Sequence, residues 1–305
     1  GDLSGLGVTV KDPFTGQPFP GNVIPASRIS PLARQMVNMF PTPNRQGSPN
    51  YLGQPEGRDG STQGMLRLDH RFSNADELTV RYSDGASDLL EPYTEGTDST
   101  AGYGSVVNDR TQNMLVHHNH VFSGNVVNAL RFGANRFKRD VLTENSATNV
   151  GALWGVNWLD VPASSNGFPI LNVAGYSKVG DAFTLPILRD ATTYQVVDDL
   201  TVTAGTHLLK VGGEVRDINL DSRVDLFTRG QLSFTGAFTG SGVGDLLIGL
   251  PTFDLHAQAD NPIQLRTEAY SLYVQDDWRV RPNLTLNVAG DAVTHGASLA
   301  RLATT

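Results

Sequence analysis

The sequence predicts an all-β protein built from antiparallel hairpins, preceded by an irregular N-terminal arm. Three observations carry that prediction. Charged residues are only 18% of the 305-residue chain and glycine accounts for 32 positions. That is a turn-rich profile, unlike the Ala, Glu, Lys and Leu richness of a helical bundle or coiled coil. From residue 65 onward, apolar and polar residues alternate with period two, as in strands with two unlike faces. Four such runs fold back across tight turns, and long links rich in Gly, Ser, Asn and Pro separate them.

Residues 1–64 form the arm. Stretches such as Lys11-Asp12-Pro13-Phe14-Thr15-Gly16 show no period, only turn residues. One helix is expected. Ser30 suits the N-cap, Pro31 the first helical position, and the run from Leu32 to Phe40 carries an apolar stripe before Pro41-Thr42-Pro43 stops it.

Residues 65–290 form the hairpin region. Leu66, Leu68, His70 and Phe72 share one face, with Met65, Arg67, Asp69 and Arg71 on the other. After the turn at 73–77, Leu78, Val80 and Tyr82 alternate with Thr79, Arg81 and Ser83. The next runs are 112–122 returning through 126–136, 192–203 returning through 208–216, and 265–280 returning through 284–288. The links 84–109, 137–191 and 217–264 exceed the ~12–15 residues usual in compact domains.

Short turns at one end and long loops at the other are the layout of an outer-membrane β-barrel. Its strands need ~9–11 residues to cross the hydrocarbon obliquely. Phe72, Tyr82, Phe122, Phe137, Tyr194, Tyr273 and Trp278 sit near strand ends and would serve as interfacial girdle residues. The same alternation also describes a soluble sandwich or barrel, where it divides core from solvent. Periodicity does not separate the two.

Composition narrows the function. The net charge of −8 argues against a basic nucleic-acid surface. With no cysteine, zinc fingers, iron–sulfur clusters, thiol nucleophiles and disulfides are excluded. No apolar run reaches the ~18 residues of a membrane-spanning helix. The chain starts Gly1-Asp2-Leu3 with no visible signal peptide, so either a leader has been removed or the sequence is a segment.

Several residue groups bear chemistry. His118 and His120 share a strand face, with His117 opposite, and could ligate Zn²⁺ with a neighbouring carboxylate. The bland alternative is a polar barrel strand near the interface. Trp154, Trp158, Phe168 and Tyr176 lie among Asn, Ser and Gly in the second long link, a mixture suited to stacking on sugars or aromatic ligands. Equally, they could pack under their own loop. Gly240-Ser241-Gly242-Val243-Gly244-Asp245 lacks the Lys of a phosphate loop and the G-x-G-x-x-G spacing, and is expected to be a loop. Asp276 and Asp277 are adjacent on a strand and so do not converge. No G-x-S-x-G elbow is present. A dispersed Ser/His/Asp hydrolase site would have Ser241 or Ser105 as its first suspects, but no catalytic residue is assigned and no cofactor is expected.

The segment from Tyr273 to Asn287, YVQDDWRVRPNLTLN, resembles a barrel hairpin of TonB-dependent outer-membrane receptors, and within them the Oar-like group with its carboxypeptidase-regulatory-like domain. Asp69–Ser73, Leu130–Gly133, Gly205–Glu214, Asp245–Pro251 and Pro20–Pro31 resemble other pieces of that group, in order, over roughly residues 8–290. The resemblance implies a receptor wall in the bacterial outer membrane, in contact with its lipid. It also implies import of a large substrate (a glycan, a peptide or a metal chelate) with a periplasmic energising partner. Two departures stand out. After Asn287 the family's strand pattern gives way to a divergent tail, 291–305, as if by truncation or a change of reading frame. The plug, the TonB-contacting box and the second barrel half are also missing, so an incomplete barrel is expected. The competing readings are a soluble secreted β-protein that binds carbohydrate or a partner through its aromatic loop, and the hydrolase.

Overall fold

The computed structural model describes residues 1–93, 100–257 and 261–301. In chain order the strands are β1 (Arg58–Arg71), β2 (Asp76–Glu91), β3 (Ser105–Ser123), β4 (Val126–Thr143), β5 (Ile170–Val173), β6 (Ile187–Ala204), β7 (His207–Val224), β8 (Gln231–Phe234), β9 (Phe253–Leu255), β10 (Pro262–Arg281) and β11 (Leu284–Arg301). Eight of them make one antiparallel sheet in the order β1-β2-β3-β4-β6-β7-β10-β11. β5, β8 and β9 form a small second sheet. All four hairpins turn where the alternation places them. Among the described residues the large sheet stays open, with β1 and β11 as its edges.

Register explains the two faces. Leu66 stands opposite Tyr82, Tyr82 opposite Met114, Met114 opposite Ala134, and Ala134 opposite Tyr194. Directly opposed residues share a face. The next row on that face runs Leu68, Val80, Val116, Phe132, Val196, Val215, Tyr270. These apolar residues are not a core. Leu68 is 60% and Leu272 69% exposed. A bare apolar face of this extent marks a membrane or partner surface, not a soluble monomer. A soluble monomer needs that face covered by its own chain, and no described segment covers it.

The opposite face is polar. Arg67 pairs with Asp69 at 2.8 Å and Arg131 with Asp199 at 2.6 Å. The Tyr273 hydroxyl donates to Asp199 at 2.7 Å. This corrects one expectation: Tyr273 and Phe137 have the strand parity of the polar face and are not girdle residues. Phe137 instead lies under the Arg139 guanidinium, 5.5 Å from its ring centre.

The strands outrun the sequence reading, at 14 residues for β1 and 20 for β10. Stretches nearest the long loops such as Asp84–Asp88 in β2 carry no large apolar residue on either face and show no alternation to detect. β11 likewise continues to Arg301, past the boundary expected at 290. Its backbone pairs with β10 from Leu284 through Arg301, so ladder bonding carries it where apolar patterning does not. Residues 302–305 of the expected tail lie outside the described residues.

At the long-loop end the links and the arm fold together into a cap. Helix α1 (Pro31–Val37) starts at Pro31 as expected, although the Ser30 side chain makes no capping bond. Met36, Met39, Tyr103, Leu171, Val173, Val179, Phe234 and Leu246 form one apolar cluster. Leu3, Val10, Phe19 and Ile24 form another within the arm. The arm is irregular in secondary structure yet supplies a true core.

A charge on the bare face should be costly. Val274→Arg, mid-strand on that face, is expected to destabilise the wall in lipid vesicles by about 2–4 kcal/mol. Gln275→Arg, on the polar face, should cost under about 1 kcal/mol. Urea unfolding of the vesicle-folded protein compares the two. Equal costs would mean that the faces are wrongly assigned.

Candidate ligand-binding site

The cap carries a groove of about 480 Å³ between α1 and the β8–β9 edge. Leu32, Ala33 and Met36 of α1 and Leu232, Phe234 and Leu255 of the small sheet give it an apolar floor. Trp158 and His256 stand at one wall, ring edge to ring face, with centroids 6.4 Å apart. The His256 Nε2–H donates to the Thr228 carbonyl at 2.9 Å. Gln231, Asp254 and Ser30 add polar groups around the apolar floor. Gly230 has φ +77, a left-handed conformation that favours glycine, and it lies beside the Trp158 ring. Volume and mixed lining match a small-ligand site, which typically spans ~300–1,000 Å³. Gln231 also lines a second, more polar cleft of about 870 Å³ that includes Tyr176 and Lys178.

Helix α2 (Val150–Trp154) lies in the second long link, and helix α3 (Gly242–Ile248) backs the groove. The Gly240–Asp245 stretch, expected as a loop, is the start of this helix. The Ser241 hydroxyl accepts from the Gly244 N–H, and Gly242 packs so closely that a Cβ would sit 2.8 Å from the Phe234 carbonyl. The fully buried Asp245 ties the preceding turn, accepting from the N–H groups of Gly236 at 2.9 Å and Thr239 at 2.8 Å.

A second buried charge holds the loops together. Asp181 accepts from the Phe168 N–H at 2.7 Å and from the Asn145 amide at 2.9 Å. Arg229 lies beside it and donates to the carbonyls of Ser165 and Ala182. Burial pushes the Asp181 carboxyl up to about 6, against the pull of those hydrogen bonds and of Arg229.

A family model described as an outer membrane beta barrel domain matches residues 1–289. The chain belongs to that family. Its wall therefore sits in the bacterial outer membrane, with the bare apolar face toward lipid. No curated protein sequence matches it. Among solved structures it is similar to the outer membrane transporter YddB from Escherichia coli, at TM-score 0.50 and 8% identity over 83% of this chain and 30% of that one. It is also similar to P. aeruginosa FpvA in complex with a heterologous ferric pyoverdine (0.49, 13%, 81% and 32%). A third is BauA, the ferric preacinetobactin receptor from Acinetobacter baumannii (0.44, 12%, 79% and 35%). The chain spans about a third of the length of each. In barrels of this family the short turns face the periplasm and the long loops the exterior. The cap and its groove thus lie outside the cell.

The barrel frame sorts the sequence-predicted residues. Trp158 lines the groove. Trp154 and Phe168 pack on the cap core, with centroids 6.3 Å apart, and Phe168 meets Tyr103 at 6.0 Å. Tyr176 is 48% exposed and meets Phe40 at 6.1 Å. The four aromatics do not share one surface. His118 and His120 lie at the periplasmic end of the lipid-facing side. Both bond Asp76 Oδ1, His120 through Nδ1 at 2.6 Å and His118 through Nε2 at 3.3 Å. Among the described residues no group of three or more His, Cys, Asp or Glu is arranged to hold a metal. The Ser105 hydroxyl bonds Glu91 and that of Ser241 caps α3, so neither bonds a histidine. Asp276 bonds His207 at 2.7 Å while Asp277 bonds Gln275 on the other face. His256, Asp254 and Gln231 escaped the sequence reading. They lie far from Trp158 in the chain, and only the pairing of β8 with β9 brings them to it.

Asp181 gives the cap a pH dependence. Its folded value of about 6 lies above the ordinary 3.8, so the native state holds the proton more tightly. The resulting stability is fully present below about pH 3.8 and is lost as pH rises through about 6. The loss is on the order of 3 kcal/mol. Cap unfolding followed by tryptophan fluorescence from pH 3.5 to 7 (roughly the span of the two values) should show this slope in the wild type and not in Asp181→Asn. Parallel curves would refute it.

Proposed function

We propose that the chain forms part of the wall and outer mouth of a TonB-dependent receptor of the Oar-like group. The receptor captures a large substrate (a glycan, a peptide or a metal chelate) at the exterior and imports it with a periplasmic energising partner. One observation carries the proposal: a built groove with an aromatic wall sits in the exterior cap, at the long-loop end of a wall whose inner face is charged. Trp158 and His256 supply the stacking surface. Gln231 leads from the groove to the second cleft, where Tyr176 adds another aromatic contact. The ion-paired inner face would form one side of a hydrated passage below.

The full chain, folded in detergent, can be titrated with glycans, peptides and ferric chelates while tryptophan emission is followed. One class is expected to bind. Trp158→Ala should weaken that class about tenfold, or about 1.4 kcal/mol. Uptake by cells bearing the complete receptor should stop when the proton gradient is dissipated. Binding unchanged in Trp158→Ala would place the ligand elsewhere, and gradient-independent uptake would remove the energised-import reading.

A further inference from the structure

A second groove, of about 440 Å³, lies on the outward side of the wall, around the row that holds Tyr82 and Tyr194. Its lower part is apolar and continuous with the lipid-facing band through Met114 and Ala134. Its upper part is polar: Arg136 donates to Asp190 at 2.9 Å, with Gln112, Asn219 and Asp221 alongside. The groove therefore straddles a boundary. Below it, Tyr194 to Ala204 on β6 and Tyr270 to Arg281 on β10 are each about the ~9–11 residues that cross the hydrocarbon. Above it, each strand runs on for roughly 20 Å with a charged outward face. Arg110 pairs there with Asp84 at 3.1 Å and Arg266 with Asp221 at 2.8 Å. Tyr82 is 41% and Tyr194 47% exposed on either side of the groove.

We propose that this groove seats the sugar headgroup of an outer-leaflet glycolipid, whose acyl chains lie along the apolar band beneath. Three features choose a sugar over a bare phosphate. The one guanidinium in the groove is already paired with a carboxylate. Asp190 and Asp221 are ion-paired with Arg136 and Arg266, so they leave no net positive charge for an anion while their remaining lone pairs accept from hydroxyls. The Gln112 amide donates to the Tyr82 hydroxyl at 2.9 Å and keeps its carbonyl oxygen as an acceptor. Donors and acceptors thus alternate between two aromatic rings, a pattern that suits a polyhydroxylated ring. The site depends on the membrane placement of the wall and not on which substrate the cap takes.

A photo-crosslinking residue, p-benzoylphenylalanine, placed at Thr192 lines this groove; at the adjacent Thr193 it faces the inner side. In intact cells Thr192 should give an adduct that stains for lipopolysaccharide, and Thr193 should not. No adduct at Thr192, or equal adducts at both, would overturn the proposal. The full chain in dodecyl maltoside should also retain added lipopolysaccharide in preference to phosphatidylglycerol, which lacks the sugar. Tyr194→Ala with Asp190→Asn should weaken that retention about tenfold. Equal retention of both lipids would reduce the groove to a general lipid surface and defeat the sugar assignment.

Discussion

In hydrocarbon an unpaired backbone N–H or C=O costs several kcal/mol, so a chain that enters it must bond every such group to a neighbour. The rest of this structure follows from that requirement. Eight strands bond one another in a continuous antiparallel ladder, each next to its hairpin partner or joined across a long link, and among the described residues only the outer edges of β1 and β11 are left unpaired. Once the ladder is fixed, strand parity does the sorting. Every second side chain faces lipid and can be Leu, Val, Phe or Tyr; the others face inward and can be Arg, Asp, Glu or Gln. The inward ion pairs are half-exposed and contribute little stability individually. Their value lies in keeping that face wet.

The cap obeys the opposite physics. It lies in water and must bury a core, yet its segments come from the arm and from three separate links. Small apolar clusters alone leave such a composite weakly specified. Asp181, Arg229 and Asp245 supply the specificity: each is at most 2% exposed, Asp181 and Arg229 bond groups from loops distant in sequence, and Asp245 fixes the turn that precedes its own helix. Unpaired they would be costly, so the loops are held in the one arrangement that satisfies them. The Trp158–His256 groove inherits its shape from that arrangement.

How much of this was legible in the sequence follows from which forces leave a periodic trace. The hairpins were legible because lipid on one side and water on the other impose a strict period of two, as in Leu66 to Phe72. The strand lengths were not. Beyond Tyr82 both faces of β2 meet water, the period vanishes, and Asp84–Asp88 reads as a loop although its ladder continues. The same blindness applied to β11. Trp158 could be singled out as an aromatic in a polar loop, but His256 and Asp254 could not, because the β8–β9 pairing that gathers them spans only three residue pairs. Trp154 and Phe168 had the same local signature as Trp158 and became core. Local composition does not distinguish a ring that faces a groove from one that fills it.

The two ends of the wall show how the membrane fixes its height. At the periplasmic end the outward rings come in pairs: His70 with Phe72 and His120 with Phe122, each at 4.4 Å, and His207 stacked on Trp278 at 5.3 Å. Amphipathic rings prefer this interfacial depth, and Asp76 and Asp276 anchor the imidazoles that face water. Asp76 holds His118 and His120 at this level. Tyr82, Tyr194 and Tyr270 occupy the corresponding level at the other end. Two belts at the right separation leave the wall little freedom to slide. The turns must then close at once on the periplasmic side, and all the surplus strand length must project outward. A cap carried on that projection stands clear of the membrane surface, so its groove opens to water rather than to lipid.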